Sequence, residues 1–247
     1  MVVNLDLKML KIIRYILIGI YIACVMTLGI IFSLFRPRHP DNVYLISRML
    51  GWKGFLILGI EFEQRNHHLH DEIGAAVYCS NHQNDLDMFP GGASVHKRTV
   101  VLGKNSIILI PFFGQFFWLS GNILINRKNP YKAKKSMEKV TKRIKEEQIS
   151  VWVMPEGTRS RGRGLLPFKK GAFVTAIAAE CPIAPIVFSS YSKKLDLNKW
   201  RSGKIISTRL PIIETKGMTK EDAPKLMEQT RKAMLKCLEE MDKELYG

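Results

Sequence analysis

The chain has 247 residues, 46% of them hydrophobic, with a formal net charge of +16 and a sequence pI near 9.8. This length allows one sizeable core, and the lack of a Gly/Ser-rich linker excludes two separately tethered soluble domains. The charge favours an anionic partner, such as acidic lipid headgroups, a phosphate-bearing substrate, an acidic carrier protein or nucleic acid.

The first predicted element is a membrane segment. Residues 15–35 form a run of 21 residues without a charged side chain. As a helix, such a run reaches about 30 Å, enough to cross a hydrocarbon core. It is too long for a cleavable signal peptide, and no small-residue cleavage pattern precedes Arg36 and Arg38. We therefore expect the segment to remain in the mature protein.

The orientation of this segment is left open by its flanking charges. Lys8, Lys11 and Arg14 precede the run, and Arg36, Arg38 and Arg48 follow it. This balance gives no charge asymmetry. Pro37 and Pro40 interrupt the helix, and a second apolar stretch at residues 43–60 contains Arg48 and Lys53, which suits the membrane interface. The pattern predicts a helix hairpin that enters one leaflet, with a single transmembrane helix as the alternative.

A histidine and an aspartate follow the first strand-like run, residues 75–80. His82 and Asp87 are five positions apart, a spacing that places them on different sides of a helix. We therefore expect His82 in the loop after the strand and Asp87 in the first turn of the next element. There Asp87 can hold one imidazole nitrogen and leave the other to accept a proton, as in a general base. A capped loop whose histidine binds only backbone is the alternative.

Strands and helices alternate through the rest of the chain. Predicted strands also cover residues 99–102, 122–125, 149–154, 183–188 and 204–213. Predicted helices cover residues 131–148, 171–180 and 221–245, the last capped by Thr219, and an apolar run at 107–119 is a candidate wall for an acyl tunnel. This alternation predicts an α/β sheet with its site at strand ends.

The helix at 131–148 has a strongly basic face. Its cations are Lys132, Lys134, Lys135, Lys139, Lys142, Arg143 and Lys145, opposite an apolar stripe. This pattern is typical both of a solvated helix and of a docking surface.

Two further polar blocks follow strand-like runs. They read GNILINR at residues 121–127 and VMPEGTRS at residues 153–160, and a weaker block, APIV, occupies residues 184–187. Together with His82 and Asp87, and in this order, they resemble the glycerolipid acyltransferase family, and within it the bacterial 1-acylglycerol-3-phosphate acyltransferases. The resemblance extends from about residue 75 to 190, and the combination is more specific than any single block.

The resemblance implies transfer of an acyl chain from a thioester to the free hydroxyl of lysophosphatidic acid. His82 would remove the proton as the hydroxyl oxygen attacks, without an acyl-enzyme, and Asp87 would orient His82. Arginine suits phosphate because of its planar fork of donors, so Arg127 and Arg159 are the candidate phosphate ligands, with Lys104 in support.

Two more residues of the third block are candidate substrate ligands. By resemblance, Glu156 binds the glycerol part of the acceptor or orders the arginines, and Gly157 allows close backbone approach. A carboxylate at a helix start is an equally good physical explanation of Glu156. Backbone N–H groups near His82 or Gly157 are candidate oxyanion donors.

The sequence favours no metal or cofactor. His67, His68, His70 and Asp71 are interpreted as a polar loop, because a defined coordination sphere is not evident. Neither GxGxxG nor GxxxxGK[ST] occurs, which argues against a nucleotide cofactor. The four cysteines lack a CxxC pair, and Cys79 is interpreted as a buried core thiol.

The predicted fold is a single mixed-sheet α/β acyltransferase domain with surrounding helices, plus an N-terminal membrane-embedded helix pair. Residues 1–61 form the anchor and residues 62–247 the catalytic domain. The expected partners are lysophosphatidic acid, an acyl carrier protein or coenzyme A thioester, and an anionic membrane surface. The expected location is the cytoplasmic face of the cell membrane.

Three other functions are weighed against this one. An acyltransferase of the same family acting on glycerol 3-phosphate or another lysophospholipid is the nearest. A membrane-tethered nucleic-acid-binding protein explains the charge but lacks a binding motif and has no use for His82 and Asp87, so no nucleic acid is expected. A serine hydrolase lacks the G-x-S-x-G elbow.

Overall fold

In the computed structural model, which describes residues 3–126 and 129–247, a sheet of seven strands carries the fold. In chain order the strands are β1 (Ile60–Arg65), β2 (Val77–Ser80), β3 (Thr99–Lys104), β4 (Ile123–Ile125), β5 (Ser150–Val153), β6 (Ile183–Phe188) and β7 (Gly203–Arg209). They lie side by side in the order β1-β7-β6-β2-β5-β3-β4. The strands β4, β3, β5, β2 and β6 run parallel, whereas β7 and β1 run the other way. The predicted mixed α/β sheet is confirmed.

Helices cover both faces of this sheet. They are α1 (Val3–Phe35), α2 (Asp41–Leu58), α3 (Met88–Ser94), α4 (Phe113–Leu119), α5 (Pro130–Glu147), α6 (Gly171–Ala179) and α7 (Ala223–Tyr246). Alternate residues of β2 face opposite layers. Val77 and Cys79 pack with α5, α6 and α7, whereas Tyr78 packs with α1 to α4. The central strands are therefore buried on both faces, and their loops leave at a shared edge.

The predicted membrane-embedded helix pair needs correction. Among the described residues, only Met9–Phe35 in α1 is long and apolar enough to cross a membrane. A second helix, α2, does follow, but its Val43, Ile46, Leu50 and Phe55 are buried. These residues form the stripe by which an amphipathic helix packs on a domain. The apolar stretch at 43–60 thus belongs largely to the core, and one helix, not two, is a membrane candidate.

The packing of α2 on α3 is close because glycine stands at the contact. A Cβ atom at Gly51 would lie 2.5 Å from the backbone nitrogen of Ala93, closer than real Cβ atoms approach. A side chain at this position would therefore force the two helices apart.

The helix α1 contacts the α/β domain at two well-separated points. Arg14, about a third of the way along the helix, is only 4% exposed, and its side chain donates to the Trp200 carbonyl at 2.7 Å and to Ser202 Oγ at 2.6 Å. Just beyond the carboxyl end of the helix, the Arg38 N–H donates to the Leu119 carbonyl at 2.9 Å. The helix therefore lies along the domain. The division of the chain into residues 1–61 and 62–247 stays a prediction.

Candidate active site

Three loops from neighbouring parallel strands meet around His82. Residues 81–87 follow β2, residues 154–170 follow β5 and residues 189–202 follow β6. The carboxyl ends of parallel strands are where α/β proteins place their sites. The structure brings His82 and Asp87 together at this edge.

His82 and Asp87 are hydrogen-bonded side chain to side chain. The contact joins His82 Nδ1 to Asp87 Oδ2, so His82 Nε2 is the nitrogen that Asp87 does not hold. Asp87 ends a short 3-10 helix, Asp85–Asp87, which leads into α3. Asn84 caps this turn, since its Oδ1 accepts from the Leu86 N–H at 2.8 Å. The cap fixes the turn and hence the position of the carboxylate.

Asp87 is almost fully buried, with 3% of its surface exposed, and receives two more hydrogen bonds. The Gln83 N–H donates to Oδ2 at 2.7 Å, and the hydroxyl of Tyr191 donates to Oδ1. Burial, and then the charge of Asp87, raise the pKa of Tyr191 well above its usual range. The hydroxyl therefore keeps its proton and acts as a donor. The sequence patterns gave no signal for Tyr191.

Two side-chain amides fasten the His82 loop to the end of β6. Asn81 exchanges two hydrogen bonds with the Phe188 backbone, at 2.7 and 2.8 Å. Gln83 donates to the Ser189 carbonyl at 2.7 Å and accepts from the Tyr191 N–H at 3.0 Å. Both amides are buried. They belong to the polar block that contains His82, but their roles could not be read from the sequence because the partners are more than 100 residues away.

Glu156 joins the His82 loop to the loop after β5. Its Oε1 accepts from the His82 N–H at 2.6 Å, and its Oε2 accepts from the Leu166 N–H at 3.0 Å. Only 3% of the residue is exposed. Burial raises the pKa of Glu156 to about 6, against the opposing effect of the two N–H donors. Each carboxylate oxygen thus has a backbone partner.

The stretch around Arg159 runs alongside His82. The Ser160 N–H donates to the His82 carbonyl at 2.7 Å, and the Arg161 N–H donates to the Gln83 carbonyl at 2.9 Å. These bonds bring Arg159 next to the histidine loop, where its Nη2 pairs with Asp85 Oδ1 at 2.7 Å. Both side chains of this pair are accessible, at 43% and 82% exposure.

Gly157 allows a lysine to lie across the backbone. Its φ of +70° is rare for other residues, and a Cβ atom there would lie 2.9 Å from Lys169 Cε. The Lys169 N–H donates to the Pro155 carbonyl at 2.8 Å. An exposed cationic side chain therefore lies beside the Glu156 turn.

Lys104 lies at the far side of the same edge. Lys104 is exposed at the end of β3 and is paired in register with Ile125, the last residue of β4. Arg127 lies outside the described residues, so its place in the site stays a prediction.

Several other predicted features have definite positions. The N–H groups of His82, Gln83 and Gly157 are bonded to Glu156, Asp87 and Met154, so each already has a protein partner in this conformation, and the oxyanion donors stay a prediction. Cys79 is buried, and burial raises the pKa of its thiol, which fits the predicted core thiol.

The apolar run at residues 107–119 divides between surface and core. It contains the end of a short 3-10 helix, Asn105–Leu109, and α4. Leu109 is 80% exposed, whereas Phe116 and Phe117 are buried. A separate cavity of about 420 Å³ adjoins the His82 loop, and it is lined by residues 84–86, by residues between 191 and 198, and by Lys11 and Tyr15 of α1. The tunnel wall stays a prediction.

Comparison with known proteins gives consistent matches. The acyltransferase family model matches residues 61–189. The chain is 41% identical to the 1-acyl-sn-glycerol-3-phosphate acyltransferase of Haemophilus influenzae, over 96% of this chain and 98% of that protein. It is 43% identical to the protein of the same name from Escherichia coli, over 96% of each.

A solved structure extends the match to the fold. The 1-acyl-sn-glycerophosphate (LPA) acyltransferase of Thermotoga maritima superposes with a TM-score of 0.77 at 18% identity, covering 96% of this chain and 97% of that one. At this identity the superposition supports the fold alone, and it includes the region of α1 and α2.

Proposed function

This chain belongs to the acyltransferase family, and we propose that it transfers a fatty acyl chain from a thioester to the sn-2 hydroxyl of 1-acylglycerol 3-phosphate. The product is phosphatidic acid. The observation that carries the proposal is the contact of His82 Nδ1 with buried Asp87 at the carboxyl edge of the sheet. Acceptor, thioester and this pair of side chains account for the reaction, and no cofactor is needed.

The proposed chemistry begins at His82 Nε2. This nitrogen takes the proton of the sn-2 hydroxyl while the oxygen attacks the thioester carbonyl, forming the new C–O bond and a tetrahedral oxyanion. Collapse of the oxyanion breaks the C–S bond, and the departing sulfur takes the proton from the imidazolium. Asp87 stabilises the imidazolium and holds the tautomer that leaves Nε2 open.

The acceptor phosphate is proposed to bind Arg159 and Arg127, with Lys104 in support. The bonds from Ser160 and Arg161 to the His82 loop support this role for Arg159. Its guanidinium now pairs with Asp85, and a phosphate dianion is a stronger partner than one exposed carboxylate. When the acceptor binds, Arg159 would therefore exchange its ion pair with Asp85 for one with the phosphate.

Glu156 is proposed to order the site, and Gly157 to leave room beside it. Of the two roles considered for Glu156, ordering is favoured because both carboxylate oxygens already accept backbone hydrogen bonds. A glycerol hydroxyl would have to displace one of them. Through these bonds Glu156 keeps the His82 and Arg159 loops in register.

The donor is proposed to be an acyl carrier protein or coenzyme A thioester. Along α5 the cations Lys142, Arg143 and Lys145 have acidic partners within 4 Å. The first turns carry exposed Lys132, Lys134, Lys135 and Lys139. Because α5 follows β4, this basic end lies near the site edge, where an acidic carrier or the phosphates of coenzyme A would approach.

The proposed location is the cytoplasmic face of the cell membrane, with α1 lying in one leaflet. One face of α1 is covered by the domain, as at buried Val25 and Met26, whereas Ile12, Ile16 and Ile20 are each 57% exposed. The contacts of Arg14 and Arg38 with the domain support a helix that does not leave it. A helix crossing the bilayer would have to break one of these two contacts.

Acyl transfer by the purified protein tests the proposal. One thioester is offered with lysophosphatidic acid, glycerol 3-phosphate or a lysophospholipid that bears a headgroup, and the acylated product is quantified. We expect the highest kcat/KM with lysophosphatidic acid. Preference for another acceptor would reassign the substrate within the family, and no transfer to any of the three would overturn the proposal.

A further inference from the structure

Tyr191 is a fully buried residue that contacts the aspartate of the proposed base. It lies three residues after β6, and none of its surface is exposed. Its hydroxyl donates to Asp87 Oδ1, the oxygen opposite the one bound to His82 Nδ1. Its N–H donates to Gln83 Oε1, and Gln83 in turn donates its own N–H to Asp87 Oδ2 at 2.7 Å.

These hydrogen bonds hold both oxygens of the Asp87 carboxylate. Rotation of the carboxylate about its Cβ–Cγ bond would break the Tyr191 bond and the His82 bond together. A tyrosine hydroxyl that serves only as core filling would not need a charged partner, and a buried carboxylate with one oxygen unpaired would be unfavourable. The arrangement therefore couples Tyr191 to the orientation of His82.

We propose that Tyr191 is a positioning residue for acyl transfer, which fixes Asp87 so that His82 is held in the tautomer that leaves Nε2 open. The inference rests on the function proposed above. Tyr191 does not touch the acceptor or the thioester in this scheme. It acts through Asp87, both by limiting carboxylate rotation and by drawing electron density from the carboxylate through its hydrogen bond.

The second effect has a predictable sign. A carboxylate that loses a donor becomes a stronger acceptor and stabilises the imidazolium form of its histidine partner. Loss of the Tyr191 hydroxyl is therefore expected to move the acid limb of the pH profile to higher pH. Among the described residues, the charged or titratable groups around the pair are Tyr191 itself, Glu156, which binds the His82 N–H, and the ion pair of Arg159 with Asp85 beside the His82 loop. Since Glu156, Arg159 and Asp85 are common to every variant, differences between variants isolate the effect of Tyr191.

The test is Tyr191→Phe, which removes only the hydroxyl. We expect kcat to fall about tenfold, because one hydrogen bond that positions Asp87 is lost. Both KM values should stay within twofold of wild type. The acid limb of the pH profile should move to higher pH. In ¹⁵N-histidine NMR spectra, the distribution of the His82 proton between Nδ1 and Nε2 should change.

Two further variants separate positioning from packing. Tyr78→Phe removes another buried hydroxyl, from a ring that stacks on His96 and Trp152, and should leave the pH profile and the tautomer unchanged. A fluorinated tyrosine at position 191 is a stronger donor of similar size. It should move the acid limb to lower pH, opposite to Tyr191→Phe, a reversal that a packing role does not produce.

The outcomes are distinguishable from failure of the proposed function. An active wild type whose Tyr191→Phe variant keeps the same kcat, acid limb and His82 tautomer overturns the positioning role. If Tyr191→Phe does not fold, an unshifted acid limb in the fluorinated protein overturns it equally. If wild type transfers no acyl group while Tyr191→Phe still changes the His82 tautomer, the contact stands and the proposed function fails.

Discussion

At the scale of single residues, the buried polar atoms of the candidate site are already hydrogen-bonded to other protein groups before any substrate binds. Asp87 receives three donors and Glu156 two. These buried bonds fix the loops in which His82 and Arg159 stand. The side chains proposed to meet substrate are more accessible, with His82 at 17% and Arg159 at 43% exposure. Function and support therefore fall on different residues of the same loops, and each can be tested separately.

The base is tested by His82→Ala and Asp87→Asn. General-base assistance gives about 100 to 10,000-fold, so kcat should fall within that range for His82→Ala. The kcat of Asp87→Asn should also fall severely. An amide carries no charge to stabilise the imidazolium, and its NH₂ group would face the groups that donate hydrogen bonds to Asp87. The measurement is initial rate in detergent micelles, with circular dichroism to verify folding. The control is His68→Ala, which changes an exposed histidine away from the site. Near-normal turnover in His82→Ala would show that His82 is not the general base.

The phosphate ligand is tested by Arg159→Ala. Loss of a charge-assisted contact should raise the acceptor KM about tenfold to a hundredfold, with little change in the donor KM. Lysine at 159 should rescue only in part because it lacks the fork. Asp85→Asn should change the acceptor KM in the opposite direction, since it frees Arg159 from its ion pair.

Steady-state kinetics with donor and acceptor varied separately provide the readout for Arg159. Lys236→Ala removes a charge from the exposed face of α7 and serves as the control. A weakened donor dependence with an unchanged acceptor dependence would move Arg159 to the carrier or coenzyme site.

The pH dependence of folding tests the environment of Glu156. Its pKa in the folded protein, about 6, lies above the ordinary value of 4.5, so the folded state binds this proton more tightly than the unfolded state. The resulting stabilisation, about 2 kcal/mol, is complete below pH 4.5 and is lost as the pH rises through 6. Glu156→Gln lacks this contribution.

Denaturant unfolding of both proteins in micelles, from pH 4.5 to 7, measures the Glu156 effect. The free energy of unfolding of wild type minus that of Glu156→Gln should decrease as the pH rises. A difference that does not vary with pH would show that burial does not perturb the carboxyl group. The variant should also lose activity, because its amide NH₂ would face a backbone N–H donor.

The sequence predicts candidate site residues that lie in short local blocks, but not the distant side chains that hold them. His82, Asp87 and Glu156 stand in short blocks at strand ends, where residue type and position both carry information. Tyr191 is 104 residues from Asp87, and a lone tyrosine after a strand has no local pattern. Its role depends on β6 lying next to β2, which only the folded sheet provides.

At the scale of helices and strands, buried segments were the most predictable. The strand predicted at residues 183–188 has the same bounds in the structure, and the Thr219 cap forms a capping box with Asp222. Strand β1, IEFEQR, was missed because it is mainly polar and continues an apolar run. It lies at the sheet edge, where pairing with β7 and not burial stabilises it.

A prediction at the scale of helices concerns the exposed face of α1. Ile16 and Ile20 lie one turn apart on the exposed face. Replacing both by aspartate should lower partition into anionic vesicles at least about tenfold, since apolar burial is lost and charge is added. Cosedimentation gives the bound fraction. Tyr131→Asp, which alters a 75% exposed side chain on α5, is the control, and unchanged binding of the isoleucine variant would assign attachment to another surface.

At the scale of the whole molecule, charge and apolar surface offer two separate means for the proposed membrane attachment. The net charge of +16 is spread over the chain, and exposed charges act through a field that salt screens. The exposed apolar face of α1 acts by contact, which salt does not screen. In the proposed function, this combination would let the protein approach an anionic surface and then stay on it while lipid substrates exchange.

A salt series on vesicles of mixed anionic and neutral lipid separates the two contributions. The Debye length falls from about 10 Å at 0.1 M to about 3 Å at 1 M salt, so charge attraction is largely lost at the higher concentration. Wild type should therefore release in part and then reach a plateau set by α1. The Ile16→Asp/Ile20→Asp protein should bind at low salt and release almost completely at 1 M, because only the screened contribution remains. Equal residual binding of the two proteins at 1 M salt would mean that the exposed face of α1 does not enter the lipid, and the proposal that α1 lies in one leaflet would have to be abandoned.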